Sequence, residues 1–133
     1  MREYFDTPAL VFLCGTGPFA DAARQLVAAS ENPITTPHAL AECFNSLTHR
    51  LGFPPRDVRK AMQTNLARFE FVVLDDSDYL AALDRVVDNG LTGDKIYDAL
   101  HAMAADKGQA EKIFTSNRRD FTKLTSRPVE RIG

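Results

Sequence analysis

The chain lacks the features that would mark a phosphate-binding scaffold, a disulfide-built protein or a membrane protein. Its 133 residues include 16 Lys and Arg and 18 Asp and Glu, a formal net charge of -2. This balance counts against a DNA-binding module held mainly by phosphate contacts, but not against an enzyme that uses a bound cation. The two cysteines, Cys14 and Cys43, stand in apolar surroundings and are predicted to be reduced packing residues. No apolar run reaches membrane-spanning length and no signal-peptide core follows Met1, so we expect a cytoplasmic protein.

Histidine is scarce as well, and so are glycine motifs that bind phosphate. The three histidines, His38, His49 and His101, do not have the spacing of metal ligands, which disfavours a zinc site because zinc prefers nitrogen and sulfur donors. Gly15 and Gly17 lack the rest of a phosphate-binding fingerprint. A nucleotide-binding domain is therefore disfavoured.

Apolar patterning predicts short strands that alternate with helices, which we interpret as one domain of residues 1–133. This alternation indicates an α/β fold with a short, mostly parallel central sheet and helices on both faces. Ligands of such sheets bind beyond the carboxyl ends of the strands. The predicted strands are 2–5, 33–35, 69–74, 112–115 and 129–132, of which 69–74 has the strongest strand composition. The predicted longer helices are 19–30, 36–52, 56–68, 75–89 and 92–108.

Four acidic side chains and one amide are candidates for chemistry. Asp98 lies in a helix that is apolar or small almost all round. Such a helix is buried, and a carboxylate inside it needs a partner or a metal. The others also have ordinary interpretations. Asp6 could be only a helix N-cap, and Glu42 could be a solvated residue on the polar side of its helix. Asn117 could cap a short helix, with Asp120 in its first turn.

The acids belong to four short segments that occur in order along the chain: Tyr-Phe-Asp-Thr at 4–7, Leu-Ala-Glu at 40–42, Ile-Tyr-Asp-Ala-Leu at 96–100 and Thr-Ser-Asn-Arg-Arg-Asp-Phe at 115–121. In order and separation these segments resemble the PIN-domain family, and most closely the VapC-type toxins of prokaryotic toxin–antitoxin pairs. The similarity spans nearly the whole chain, and the stretches 90–102 and 115–121 are its most specific parts. The first segment departs from the family pattern, because Pro8 stands where the family usually has Asn.

The resemblance implies a metal-dependent ribonuclease that acts as the toxin of such a pair. Asp6, Glu42 and Asp98 match the family's three core acidic positions, and we predict catalytic roles for these three and for Asp120. The predicted metal ligands are Asp6, Asp98, Asn117 and Asp120, with Asp120 completing the charge and Asn117 holding a metal-bound water. Oxygen donors of this kind suit Mg²⁺ or Mn²⁺.

The resemblance also implies partners for the protein. Arg118 and Arg119, next to the predicted acidic site, are expected to bind phosphates of the RNA substrate, and Thr115 is expected to orient one of the carboxylates. VapC-like proteins form homodimers and are neutralised by a cognate antitoxin that inserts a segment near the acids. Apolar candidates for such surfaces are Phe44, Leu47, Leu51, Val58 and Met62, although packing inside the core is the favoured role for them.

Two other functional classes remain open from the sequence. The first is a catalytically weak or inactive PIN-like domain that binds RNA or a protein partner, for which Pro8 and Asn117 are the reasons. The second is a phosphatase with an acidic Mg²⁺ site. A phosphatase that forms an aspartyl-phosphate should have a second Asp two residues after its nucleophile, and Pro8 occupies that position after Asp6.

Overall fold

The computed structural model describes all 133 residues and is built on a five-stranded sheet in which every pair of neighbouring strands is parallel. The strand order is β3-β2-β1-β4-β5, so β1 lies at the centre. This arrangement confirms the predicted α/β fold with a parallel sheet. The strands are β1 (Arg2–Phe5), β2 (Asn32–Thr35), β3 (Glu70–Phe71), β4 (Lys112–Thr115) and β5 (Val129–Arg131).

Six α-helices connect the strands, and two short turns of other helix types complete the chain. None of the helices is long and apolar enough to cross a membrane. A π-helical turn, Ser46–Arg50, extends α3, and a 3-10 turn, Arg118–Phe121, follows β4. The α-helices are α1 (Thr7–Cys14), α2 (Ala20–Ala29), α3 (Pro37–Asn45), α4 (Pro55–Asn65), α5 (Asp76–Asp88) and α6 (Lys95–Lys107).

Helices cover both faces of the sheet because successive strand residues point to opposite sides. In β1, Phe5 packs with the core formed by α1 to α4, whereas Tyr4 packs with the core formed by α5 and α6. In β4, Phe114 and Ile113 divide in the same way. The fully buried aromatic pair of Phe5 and Phe114 has ring centroids 5.0 Å apart. The central strands are therefore apolar on both faces, which is typical of a parallel sheet.

The strand with the strongest composition is the shortest of the structure, which corrects the prediction of a strand over 69–74. Only Glu70 and Phe71 form ladder pairs, because β3 is an edge strand with β2 as its one neighbour. One further backbone bond, from Val72 N–H to the Thr35 carbonyl at 2.8 Å, continues the pairing. The chain then turns into α5, whose start is fixed by a capping box between Asp75 and Asp78.

Most of the apolar residues considered for partner surfaces belong to the core instead. Leu47, Val58 and Met62 are buried, as the favoured interpretation predicted. Phe44 and Leu51 are exposed. Both cysteines are free and buried, in agreement with their predicted packing role.

Candidate active site

Asp6 lies at the carboxyl end of the central strand, where β1 passes into α1. Its side chain caps the helix, since Oδ1 accepts a hydrogen bond from the Ala9 N–H at 3.0 Å. Pro8 stands in the first turn of α1, where its missing N–H would have no helical partner in any case. The departure from the family motif at this position therefore leaves the Asp6 cap intact. Asp6 is only 2% exposed.

Burial changes the acidity of Asp6. Desolvation raises its pKa to about 6, because a carboxylate is less well solvated inside the protein than in water. The nearby His101 ring, when it is charged, the Thr115 hydroxyl and the hydrogen bond from Ala9 oppose this effect, while the negative charge of Asp98 adds to it. The Thr115 hydroxyl accepts a hydrogen bond from the Asn117 N–H at 3.3 Å. Its role in orienting a carboxylate stays a prediction, which its effect on the pKa of Asp6 supports. A cation bound next to Asp6 would favour the charged form of this carboxyl group.

Asp98 and Asp120 meet across α6 and the 3-10 turn, with Lys95 between them. The Lys95 ammonium lies 3.4 Å from Asp98 Oδ2 and 3.5 Å from Asp120 Oδ1. Burial and the charge of Asp120 raise the pKa of Asp98 to about 6, and Lys95 partly offsets them. Lys95 was not predicted as a site residue, although its position three residues before Asp98 places both side chains on one side of a helix.

Glu42 is not the solvated helix residue of the ordinary interpretation. Its Oε1 accepts hydrogen bonds from the Thr7 hydroxyl at 2.9 Å and from His38 Nδ1 at 2.9 Å, and His101 Nε2 lies 3.4 Å away. Burial alone would raise the pKa of Glu42, but hydrogen bonding and charge from His101, with smaller effects of Thr7 and His38, bring it below its ordinary value. Glu42 is therefore an ionised carboxylate held in place by its neighbours.

His101 is the functional candidate that the sequence analysis did not identify. It is 3% exposed on α6; its Nδ1 lies 2.6 Å from the Tyr4 hydroxyl and its Nε2 lies 3.1 Å from Thr7 Oγ1. The available signal was a histidine on an otherwise apolar helix, one turn after Asp98. Such a residue is often only a satisfied core side chain, and only the fold places it beside Glu42.

Asn117 and the two predicted phosphate-binding arginines lie at the next strand end, after β4. Asn117 Oδ1 accepts a hydrogen bond from the Arg119 N–H at 3.1 Å, so the amide caps the 3-10 turn. Arg118 and Arg119 are exposed and line a concave surface of about 600 Å³ together with Asn117 and Arg131. Neither Arg118 nor Arg119 forms a hydrogen bond or an ion pair through its side chain, which leaves both guanidinium groups free for a ligand.

Comparison with known families decides the identity of this fold. The model of the PIN domain matches residues 4–126. The chain belongs to the PIN-domain family. Among curated proteins, none matches this PIN domain significantly.

Three solved structures illustrate how the PIN domain compares with known toxins. VapC20 of Mycobacterium tuberculosis, a toxin that cleaves the sarcin-ricin loop, has a TM-score of 0.74 and 18% identity, over 89% of this chain and 92% of its own. VapBC2 of Rickettsia felis, bound to a DNA fragment from its promoter, has a TM-score of 0.76 and 18% identity over 100% of both chains. A toxin–antitoxin complex from Klebsiella pneumoniae has a TM-score of 0.65 and 18% identity over 90% of both chains. At these identities the likeness shows the fold.

The acids of this PIN domain do not form a preformed metal cage. No three side chains of His, Cys, Asp or Glu lie close enough together to hold a metal ion. Mg²⁺ does not require such a cage, because proteins commonly bind it through one or two carboxylates while it keeps several waters. Asp98 and Asp120 already share one cationic group, the Lys95 ammonium, at 3.4 and 3.5 Å. The oxygen donors therefore fit Mg²⁺ or Mn²⁺.

Proposed function

We propose that this PIN domain is a ribonuclease that hydrolyses RNA phosphodiester bonds with Mg²⁺ or Mn²⁺, and that it is the toxin of a toxin–antitoxin pair. The observation that carries the proposal is a pair of carboxyl groups, Asp6 buried at the carboxyl end of β1 and Asp98 half-buried on α6, whose pKa values are each raised to about 6. The carboxyl ends of parallel strands are where such sheets bind ligands. Two such groups, with Asp120 and Glu42 nearby, are best accounted for by a hard divalent cation. The likeness to VapC20, a toxin that cleaves an RNA loop, supports the same reaction class.

Each residue has a role that follows from its contacts. Asp98 and Asp120, which both lie within 3.5 Å of the Lys95 ammonium, would bind the cation directly, and Asp6 and Asn117 would contribute through bound waters. When bound, the cation supplies positive charge that activates a water and stabilises charge developing on the phosphate. Glu42 is ionised in the metal-free protein, so it can accept a proton from the attacking water as a general base.

RNA would be held by the free guanidinium groups next to the acids. Arg118 and Arg119 can form charge-assisted hydrogen bonds with phosphates on either side of the cleaved bond. The acids repel a phosphate in the absence of the cation, and the net charge of the protein, -2, does not attract RNA. The positive charges of Arg118 and Arg119 would therefore favour RNA binding next to the acids. A toxin that cuts cellular RNA acts in the cytoplasm.

Two residues, Pro8 and Asn117, favoured the alternative of a catalytically weak or inactive domain. Pro8 no longer supports it, because Pro8 lies in the first turn of α1 and the Asp6 cap is intact. Asn117 remains the other, since its Oδ1 is engaged in capping the 3-10 turn. Asp120 supplies the charge that an amide at position 117 does not.

We extend the proposal to a cognate antitoxin and to a homodimer. The Rickettsia felis and Klebsiella pneumoniae structures support the antitoxin, because both contain a toxin with its antitoxin. The PIN domain also has an apolar stripe on the outer face of α5, formed by Leu80, Leu83 and Val87, which are 61%, 48% and 72% exposed. Apolar side chains at this spacing on one helix favour a protein partner.

The proposal is tested by incubating the purified protein with total RNA and Mg²⁺ or Mn²⁺. Cleavage into discrete products is expected, with loss in EDTA and in Asp98→Asn, because that change removes a charged ligand without changing side-chain shape. Asp84→Asn is the matched control, since Asp84 is exposed on α5 and forms no ion pair. Intact RNA with either metal, from a protein that is folded, would reject the ribonuclease and favour the inactive alternative.

A further inference from the structure

The two carboxylate oxygens of Glu42 have different surroundings. Oε1 is contacted by Thr7 at 2.9 Å, His38 at 2.9 Å and His101 at 3.4 Å. Oε2 has no hydrogen-bond partner in the protein. One oxygen is therefore saturated by side chains, while the other is left for a ligand or a water.

The hydrogen bonds around Oε1 have a defined direction. An ionised carboxylate only accepts hydrogen bonds, so the Thr7 hydroxyl donates its single proton to Glu42. Thr7 Oγ1 can then only accept from His101 Nε2, 3.1 Å away. Whatever the charge of the ring, Nε2 must carry a hydrogen, which points at both Thr7 and Glu42. In the neutral ring, Nδ1 then accepts a hydrogen bond from the Tyr4 hydroxyl at 2.6 Å.

Tyr4 anchors this chain of hydrogen bonds to the centre of the sheet. It is fully buried in the central strand β1 and packs edge-on against His101, with ring centroids 5.7 Å apart. His101 is itself 3% exposed. The imidazole therefore has one orientation, and that orientation is transmitted to Glu42.

We propose that His101 is a positioning residue for Glu42. Its Nε2 holds Glu42 Oε1 both directly and through the Thr7 hydroxyl. Only Oε2 is then presented to the reacting water. The catalytic consequence rests on the proposed ribonuclease activity, whereas the hydrogen-bond arrangement does not. A positioning group that orients a functional carboxylate should affect turnover more than substrate binding, because RNA phosphates are held elsewhere.

Two variants separate the two ends of the imidazole. His101→Gln places an amide N–H near the position of Nε2 and so keeps a donor for Thr7 and Glu42. His101→Asn keeps a polar group only near the position of Nδ1 and loses that donor. We expect His101→Asn to lower kcat about 10- to 100-fold, the usual effect of losing an orienting partner, with KM little changed. His101→Gln should keep most of the activity, and His49→Asn, at an exposed histidine, should keep all of it.

A spectroscopic measurement tests the arrangement without any RNA. Long-range ¹H–¹⁵N NMR of the metal-free protein should show a hydrogen on His101 Nε2, and Thr7→Val or Glu42→Gln should shift the Nε2 resonance while His49→Asn does not. A ring that carries its hydrogen on Nδ1 alone would overturn the proposal. So would equal losses of kcat in His101→Gln and His101→Asn, since that result indicates a packing role.

Failure of the two proposals can be told apart. If the wild-type protein cuts no RNA but His101 has the expected hydrogen on Nε2 and responds to Glu42→Gln, the ribonuclease is rejected and the hydrogen-bond arrangement stands. If the wild type cuts RNA and His101→Asn has unchanged kcat, the positioning role is rejected and the ribonuclease stands. Thermal unfolding of each variant checks that the fold is retained.

Discussion

Replacing Asp6 by Asn should make the metal-free protein more stable and inactive. Asp6 is 2% exposed, and burial is the largest cause that raises its pKa from 3.8 to about 6. The folded protein therefore disfavours the ionised form relative to the unfolded chain, in which Asp6 has its ordinary pKa. An Asn side chain has no charge to bury and can still accept the Ala9 N–H bond through Oδ1.

The size of the effect follows from the two pKa values. A difference of about two pKa units, at about 1.36 kcal/mol per unit, corresponds to about 3 kcal/mol of the free energy of unfolding. Because the folded pKa is the higher one, the wild type has no penalty below pH 3.8 and loses stability as the pH rises to about 6. The advantage of Asp6→Asn should grow across this window and stay constant above it. At neutral pH it corresponds to a rise in Tm of about 10 °C for a domain of this size.

Thermal and denaturant unfolding of both proteins, in EDTA and across this pH range, measure the difference directly. Asp84→Asn is the control, because Asp84 is exposed and should not alter stability at any pH. A stability difference that does not depend on pH would refute the reasoning, since it would mean that the charge of Asp6 is not the cause. Loss of RNA cleavage in the same variant would show that the stabilising change removes function, a common trade-off at active sites.

The remaining predictions concern the cation, Lys95 and the α5 stripe. Mg²⁺ or Mn²⁺ should raise the Tm of the wild type in a concentration-dependent manner, as expected for a ligand that binds only the folded state. The Tm of Asp98→Asn should rise much less. An equal rise in both proteins would mean that the metal binds elsewhere. Lys95→Met should raise the pKa of Asp98 further above its ordinary value, because Lys95 opposes the effect of burial. ¹³C NMR titration of the metal-free protein measures this pKa. The same pKa in the wild type and the variant would mean that the ion pair is absent in solution. Leu83→Lys should convert a homodimer into a monomer in light scattering, whereas Asp84→Asn should not; an unchanged dimer would mean that α5 is not the interface.

Local sequence features predicted most of the fold because they act over short distances. Asp6 before Pro8 predicts a helix start, and the structure has an N-cap there. The strand at 112–115 was predicted with the bounds that β4 has. By contrast, the length of β3 depends on how many neighbours a strand has, and an edge strand with one neighbour can be short whatever its composition. The helix predicted over 36–52 is α-helical only to Asn45 and continues as a π-helical turn to Arg50.

By itself, the sequence determined where the acids lie along the chain and which family pattern they match. The tertiary structure decided what surrounds them. Glu42 has the spacing of a solvated helix residue, yet α6 brings His101 against it from a position 59 residues later in the sequence. Lys95 acquires its second partner, Asp120, in the same way. Hydrogen bonds and burial between segments far apart in sequence depend on how helices pack on the sheet, and no local pattern encodes that packing.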